Sequence, residues 1–230
     1  MKHKLNKDYF KTIDTENKAY WLGFIAADGC IYKMSKTAYR FQINLKANDI
    51  NHLIAFNNEI ESDYDIITKA VGKSEACQLK IASKEFTEHL IALGITPRKS
   101  LTIQMPELRD DLYKHFIRGY FDGDGCITYS KRANKDTYRY KFSIIGGEPM
   151  LEAINNKMNL DLSIYDINHS EAVDLSTANK NKIIAIYDYL YKDATIYLER
   201  KKEKFEEVLS LFAVMQSKEQ SELTGNSLEP

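Results

Sequence analysis

Residues 21–31 read WLGFIAADGCI, and residues 117–127 read IRGYFDGDGCI. The offset of 96 residues between Asp28 and Asp124 recurs downstream, where Ser74-Glu75-Ala76 matches residues 170–172. An offset held over about fifty residues indicates an internal repeat, so the chain is predicted to contain two copies of one structural unit.

The repeat predicts where the chain divides. We expect an N-terminal half-domain over residues 1–105 and a C-terminal half-domain over residues 106–215. Residues 216–230 (QSKEQSELTGNSLEP) carry few side chains that could pack, and are predicted to form a frayed, disordered tail.

Each copy shows the same order of secondary-structure signals. Apolar and polar residues alternate over residues 39–46 and again over 138–144, a pattern typical of strands with one buried face. Ser83 and Asn179, also 96 positions apart, suit the N-caps of a closing helix in each copy. The predicted fold class is therefore α+β, with two pseudo-symmetric αββαββα half-domains.

Composition excludes several classes of protein. Of the 230 residues 43% are hydrophobic and 11% aromatic, which indicates a packed globular fold. The net charge of −1 excludes a histone-like polycation but not a locally basic DNA-binding surface. Three cysteines do not suit a disulfide framework, and Cys30 and Cys126 are expected to be small core residues. With no membrane-span signal, we expect the reducing cytoplasm or an organellar matrix.

Both copies of the repeated segment are predicted to end a helix at Asp-Gly. Gly29 and Gly125 suit a left-handed residue directly after each helix. Small residues four positions apart would let two helix backbones approach closely, because they leave one face nearly free of side chains. The predicted helix interface consists of Gly23, Ala27, Gly119 and Gly123.

Such an interface would bring Asp28 and Asp124 together at two helix C-termini. The helix dipoles and the mutual repulsion make this an unfavourable place for two carboxylates. A hard divalent cation would relieve the repulsion, with the carbonyl oxygens of Ala27 and Gly123 as further ligands. The alternative is that both aspartates are ordinary, solvent-exposed helix stops.

The two segments resemble the motif of the LAGLIDADG homing endonucleases, in the single-chain form with two motifs. The resemblance extends from about residue 18 to residue 210. It implies that the two motif helices form the interface between half-domains and that Asp28 and Asp124 bind the catalytic metals. It also implies that the peptide carbonyls of Ala27 and Gly123 contribute, and that the two antiparallel sheets are curved and form a DNA-binding saddle.

The resemblance adds two lysines to the candidate catalytic residues. Members of the family commonly hold a basic residue near the scissile phosphate, and Lys99 and Lys201 stand at suitable positions beyond the closing helices. Taken alone, each is better explained as a solvated surface lysine, and it is the resemblance that makes them candidates. One departure from the motif is visible at its sixth position, which is Asp122 in the second copy but Ala26 in the first.

The predicted strands following each motif are basic. Residues 30–46 and residues 126–146 each have a local net charge of +4. Arginine, asparagine and glutamine on strand faces can read base edges in the major groove, while hairpin lysines can contact phosphates. The candidate DNA-binding residues are Lys33, Lys36, Arg40, Gln42, Asn44, Lys46, Gln78, Lys80, Lys131, Arg132, Lys135, Arg139, Lys141 and Ser143. The alternative is the solvated outer face of an antiparallel sheet.

The predicted function is that of a monomeric homing endonuclease, hydrolysing double-stranded DNA at a long, pseudo-palindromic target and serving intron mobility. The expected cofactor is Mg²⁺, with Ca²⁺ or Mn²⁺ able to substitute in binding or cleavage. A rival is a non-cleaving nucleic-acid-binding protein on the same fold, such as an intron RNA maturase or a transcription regulator. A second rival is a structural or protein-interaction module, which would leave the basic strands unexplained.

Overall fold

The chain folds into two units with the same order of elements. The structure, a computed structural model, describes residues 3–35, 38–72, 74–133 and 137–225, and for residues 216–225 it describes the backbone alone. The first unit comprises α1 (Glu16–Asp28), β1 (Gly29–Lys33), β2 (Tyr39–Lys46), α2 (Ile50–Glu59), β3 (Ile66–Val71), β4 (Ser74–Ile81) and α3 (Lys84–Ala92). The second comprises α4 (Tyr113–Asp124), β5 (Gly125–Lys131), β6 (Tyr138–Gly146), α5 (Glu148–Met158), β7 (Ser163–Asp166), β8 (Val173–Thr177) and α6 (Lys180–Tyr191). A further helix, α7 (Glu199–Gly225), follows. The predicted α+β class and the repeated αββαββα order are confirmed.

Each unit contains one four-stranded antiparallel sheet. The strand orders are β1-β2-β4-β3 and β5-β6-β8-β7, so the two sheets have equivalent topology. Apolar residues pair across the strands on the buried face, as Phe41 does with Ile81 and Ile43 with Leu79. Because side chains alternate between the two faces of a strand, the polar residues of the same strands lie on the opposite face.

Helices α3 and α6 begin at the predicted caps. The Ser83 hydroxyl accepts a hydrogen bond from the Phe86 N–H at 3.4 Å, and the side-chain Oδ1 of Asn179 accepts one from the Lys182 N–H at 3.2 Å. Each cap pairs an N–H group that the first helical turn would otherwise leave unsatisfied.

Helices α1 and α4 pack against each other at their glycines. A Cβ atom added to Gly23 would lie 1.9 Å from the Phe116 carbonyl oxygen, and one added to Gly119 would lie 2.0 Å from that of Tyr20. These separations are far shorter than any van der Waals contact, so only glycine permits the two backbones to approach this closely. The two helices thereby bring their C-terminal ends side by side.

The conformation predicted for Gly29 and Gly125 is wrong. Both residues are extended, with φ of −75° and −76°, and each begins a strand directly after its helix. A Cβ at Gly29 would lie 2.6 Å from the Ile25 carbonyl oxygen, and one at Gly125 would lie 2.0 Å from the Phe121 ring. Glycine is therefore required by the tight helix-to-strand junction and not by a left-handed backbone.

The tail prediction is also wrong in part, because α7 continues through residues 216–225. Phe205, Val208 and Phe212 are buried and anchor the first half of this helix against the second unit. The Gln, Lys, Glu and Leu residues that follow are good helix formers, which favours continuation of the helix. Residues 226–230 lie outside the described residues.

Candidate active site and DNA-contacting surface

The C-terminal ends of α1 and α4 place Asp28 and Asp124 next to each other. A Cβ on Gly123 would lie 2.4 Å from the Ala27 Cβ and 3.3 Å from Asp28 Oδ2, so the two helix ends touch beside the carboxylates. Burial and the neighbouring charge of Asp124 raise the pKa of Asp28 to about 6, and burial raises the pKa of Asp124 as well. The pair is electrostatically unfavourable when both carboxyl groups are ionised.

Two lysines reach this acidic pair, one from each unit. Lys99 is 5% exposed, and its Nζ donates a hydrogen bond to the Ala27 carbonyl oxygen at 3.2 Å. Lys201 Nζ donates to the Gly125 carbonyl oxygen. Burial lowers the pKa of both lysines, while their positive charges lower the pKa of the nearby aspartates. The structure thus brings together the four side chains predicted to be catalytic.

The donor atoms at this point suit a hard divalent cation. Mg²⁺ is usually held by one or two carboxylates, with water and substrate phosphate completing its octahedron. Asp28 and Asp124 supply two such carboxylates, and their unfavourable proximity would be relieved by bound positive charge. The Ala27 carbonyl oxygen already accepts a hydrogen bond from Lys99, which leaves one of its lone pairs. Among the described residues no cluster of three or more His, Cys, Asp or Glu side chains could hold a metal.

The polar face of the first sheet carries several of the residues predicted to contact DNA. Gln42 pairs with Lys80, and Asn44 with Gln78, across neighbouring strands, while Arg40 lies further along β2. Lys33 and Lys46 are exposed at the ends of their strands. Lys36, predicted at the hairpin tip, lies outside the described residues.

Gln78, one of the candidate DNA-binding residues, is less accessible than its neighbours on this face. It is only 4% exposed, and its Nε2 donates a hydrogen bond to Asn44 Oδ1. Since this bond fixes the Asn44 amide, the exposed Asn44 is the member of the pair that presents polar atoms to a ligand.

The corresponding face of the second sheet is basic. Arg132, Arg139, Lys141 and Lys180 line a groove of about 620 Å³ above β6 and β8. Lys141 Nζ donates to Asp174 Oδ2 at 2.6 Å, so part of its charge is neutralised. Lys131 and Ser143 lie on the same two-stranded ribbon, and the predicted Lys135 lies outside the described residues.

Apolar residues on these polar faces were missed by the sequence reasoning. Ile67 pairs with Gln78 on the first sheet, and Ile145 and Tyr165 both pair with Asp174 on the second. Their exposed fractions are 55%, 51% and 57%. The alternation of each strand contained this signal, but only its polar positions were considered. Apolar side chains on such a face can contact a thymine methyl group.

The prediction that Cys30 and Cys126 are core residues is wrong, because both are exposed. Each follows the glycine that begins β1 or β5, so its side chain points to the polar face of the sheet. Interaction with Cys30 raises the pKa of Lys99, and interaction with Cys126 raises that of Lys201, against the larger lowering by burial. Both thiols therefore border the candidate active site.

Two units related by an internal repeat, meeting at glycine-lined helices that end in paired aspartates, define the fold of the LAGLIDADG homing endonucleases. Three solved structures with this fold are similar to the chain. I-SmaMI bound to uncleaveable DNA is 15% identical, with a TM-score of 0.64 over 90% of this chain and 92% of that one. I-LtrWI bound to target DNA is 15% identical, with a TM-score of 0.64 over 92% of each chain. I-GzeII in complex with its DNA target is 14% identical, with a TM-score of 0.65 over 90% and 92%.

No family model matches the chain. A curated relative, DNA-directed RNA polymerase subunit Rpo1C of Methanocaldococcus jannaschii, is 24% identical over 198 residues. These cover 83% of this chain but 21% of that protein, so the chain spans about a fifth of the relative's length. Within the described residues, no helix combines the length and the apolar character needed to cross a membrane.

Proposed function

We propose that this protein is a homing endonuclease: a sequence-specific, metal-dependent enzyme that cuts both strands of DNA. The observation that carries the proposal is the meeting of Asp28, Asp124, Lys99 and Lys201 at one point, between two sheets whose polar faces are basic. A site with a lysine from one unit would suffice to cut one strand, whereas a site with a lysine from each unit gives each DNA strand its own lysine. The similar solved structures with bound DNA support a DNA substrate.

Each group has a definable role in phosphodiester hydrolysis. Asp28 and Asp124 would hold Mg²⁺, with the Gly123 carbonyl and the remaining lone pair of Ala27 as further oxygen ligands. When bound, the metal supplies an activated water nucleophile and stabilises charge on the leaving oxygen. Lys99 and Lys201 place ammonium groups beside the acidic pair, where they would offset the negative charge of a phosphate and orient it.

In this proposal the two sheets would determine the form of the DNA target. Equivalent positions carry different side chains in the two units, as Asn44 and Ile145 do, so the half-sites would be related but unequal. We therefore expect a long pseudo-palindromic target, bound by a monomer because one chain already supplies both halves. A role in intron mobility, in the cytoplasm or an organellar matrix, would follow from such an activity.

The test is cleavage of a randomised double-stranded DNA library by the purified chain with Mg²⁺. A discrete enriched cut site is expected, with no cleavage in EDTA, and with Ca²⁺ supporting binding more than cleavage because of its looser coordination. The Asp28→Asn protein, purified in the same way, controls for a contaminating nuclease. Robust cleavage in EDTA would contradict the metal site. Specific binding of DNA or RNA with no cleavage would instead support the regulator or maturase.

A further inference from the structure

Asp122 is a buried carboxylate that lies two residues before Asp124 in helix α4. It is 0% exposed and accepts three hydrogen bonds. The donors are the Tyr20 hydroxyl at 2.8 Å, the Tyr191 hydroxyl at 2.6 Å and the Leu198 backbone N–H at 2.7 Å. These groups belong to α1, to α6 and to the residue that precedes α7, so one carboxylate ties three elements to the motif helix.

The bond to Leu198 closes a ring that contains Lys201. The Leu198 carbonyl oxygen accepts a hydrogen bond from the Lys201 N–H at 2.9 Å in the first turn of α7. The Lys201 Nζ in turn donates to the carbonyl oxygen of Gly125. This chain of hydrogen bonds thus begins at Asp122 and returns to Gly125, three residues later in the same segment. It places the Lys201 ammonium group beside Asp124.

The first unit holds its lysine differently. Position 26, which corresponds to Asp122, is alanine and offers no side-chain acceptor. Lys99 instead begins a short 3-10 turn (Lys99–Leu101), and its own carbonyl oxygen accepts hydrogen bonds from the N–H groups of Thr102 and Ile103 at 2.9 and 2.8 Å. Lys99 is therefore held by local backbone bonds that involve no side chain of its motif helix.

We infer that Asp122 is a positioning residue for Lys201 and has no such role for Lys99. This inference rests on the proposed nuclease function. If each lysine serves one scissile phosphate, loss of the Asp122 carboxylate displaces the lysine of one strand and leaves the other in place. A displacement of about 1 Å can lower a catalysed rate by about a hundredfold.

The experiment measures single-turnover cleavage of each strand separately, on a target duplex labelled on both strands. Lys201→Met and Lys99→Met first identify the strand that depends on each lysine. Asp122→Ala, which gives position 122 the side chain found at position 26, should then slow the Lys201-dependent strand by about a hundredfold. The other strand should keep its rate, so a singly nicked product accumulates.

Two variants separate positioning from general stability. Asp122→Asn retains one acceptor oxygen for Leu198, because a tyrosine hydroxyl can accept from the new amide group, and should restore equal strand rates. Tyr20→Phe removes a hydrogen bond to Asp122 but leaves the Leu198 bond, so it should lower thermal stability without a strand bias. If Asp122→Ala does not fold, the triple change Tyr20→Phe, Tyr191→Phe and Asp122→Leu fills the space and leaves two groups unpaired, the Leu198 N–H and the His52 Nε2 that contacts the Tyr20 hydroxyl.

Equal slowing of both strands, or wild-type cleavage of both by Asp122→Ala, would overturn the inference. Failure of the wild-type chain to cut any target would overturn the proposed function instead. The two failures are therefore distinguishable within one set of measurements.

Discussion

Replacing Asp28 by asparagine should stabilise the protein while it abolishes double-strand cleavage. The pKa of Asp28 is raised from its ordinary value of 3.8 to about 6 by burial and by Asp124. Each pKa unit corresponds to about 1.4 kcal/mol, so two units give about 3 kcal/mol when the group is ionised. Solvent reaches this half-buried side chain and screens part of the effect, so we expect a gain of about 1–3 kcal/mol at pH 8.

The pH dependence gives the sign of this effect. Because the pKa of Asp28 is higher in the folded than in the unfolded protein, the protonated carboxyl favours the folded state. The stability that the protonated Asp28 carboxyl contributes is then lost as the pH rises from about 4 through 6, and this contribution is absent above that range. The advantage of Asp28→Asn should therefore be largest near pH 8 and should vanish below about pH 4.

The assay is chemical denaturation of both proteins in EDTA across this pH range, followed by DNA affinity in Ca²⁺ and cleavage in Mg²⁺. Affinity should persist, since the substitution removes repulsion toward phosphate, whereas cleavage should fall by orders of magnitude. Asp14→Asn is the matched control, because hydrogen bonding to Lys18 lowers the pKa of the exposed Asp14 and its removal should bring no gain. Wild-type cleavage by both Asp28→Asn and Asp124→Asn would mean that the two aspartates are only helix stops.

Three further results are expected. Gly119→Ala should destabilise the fold by at least about 1–3 kcal/mol in denaturant titrations, because the new methyl group overlaps the Tyr20 carbonyl oxygen; unchanged stability would contradict the close helix contact. Arg40→Ala should relax preference at particular base pairs by about 1–3 kcal/mol in competition binding, whereas Lys33→Ala should weaken all sequences alike and reduce the salt dependence; identical profiles would exclude base reading by Arg40. Burial lowers the pKa of His52 to about 4, so the wild type should lose stability as pH falls from 6.5 to 4, and His52→Gln should remove that part of the pH dependence.

Features that depend on local pattern could be predicted from the sequence. The repeat at an offset of 96 fixed the number of units, and alternation over residues 39–46 fixed the strand and its buried face. Ser83 and Asn179 were recognisable as caps because capping is a bond between residues three positions apart. Each of these signals depends only on residues close together in the sequence, or on the similarity between the two copies.

Features that depend on contacts between distant residues required the tertiary structure. The prediction for Gly29 was wrong because glycine is required there to avoid a clash with Ile25 at the tight helix-to-strand junction, and not to allow a left-handed backbone. Gln78 is buried and hydrogen-bonded to Asn44, 34 positions away, and Cys30 is exposed because it follows the junction glycine and so lies on the polar face of the sheet. The function of Asp122 depends on donors 69 to 102 positions distant. The sequence determined two basic, repeated units with an acid at each motif; which groups those acids meet depended on how the packed helices placed them.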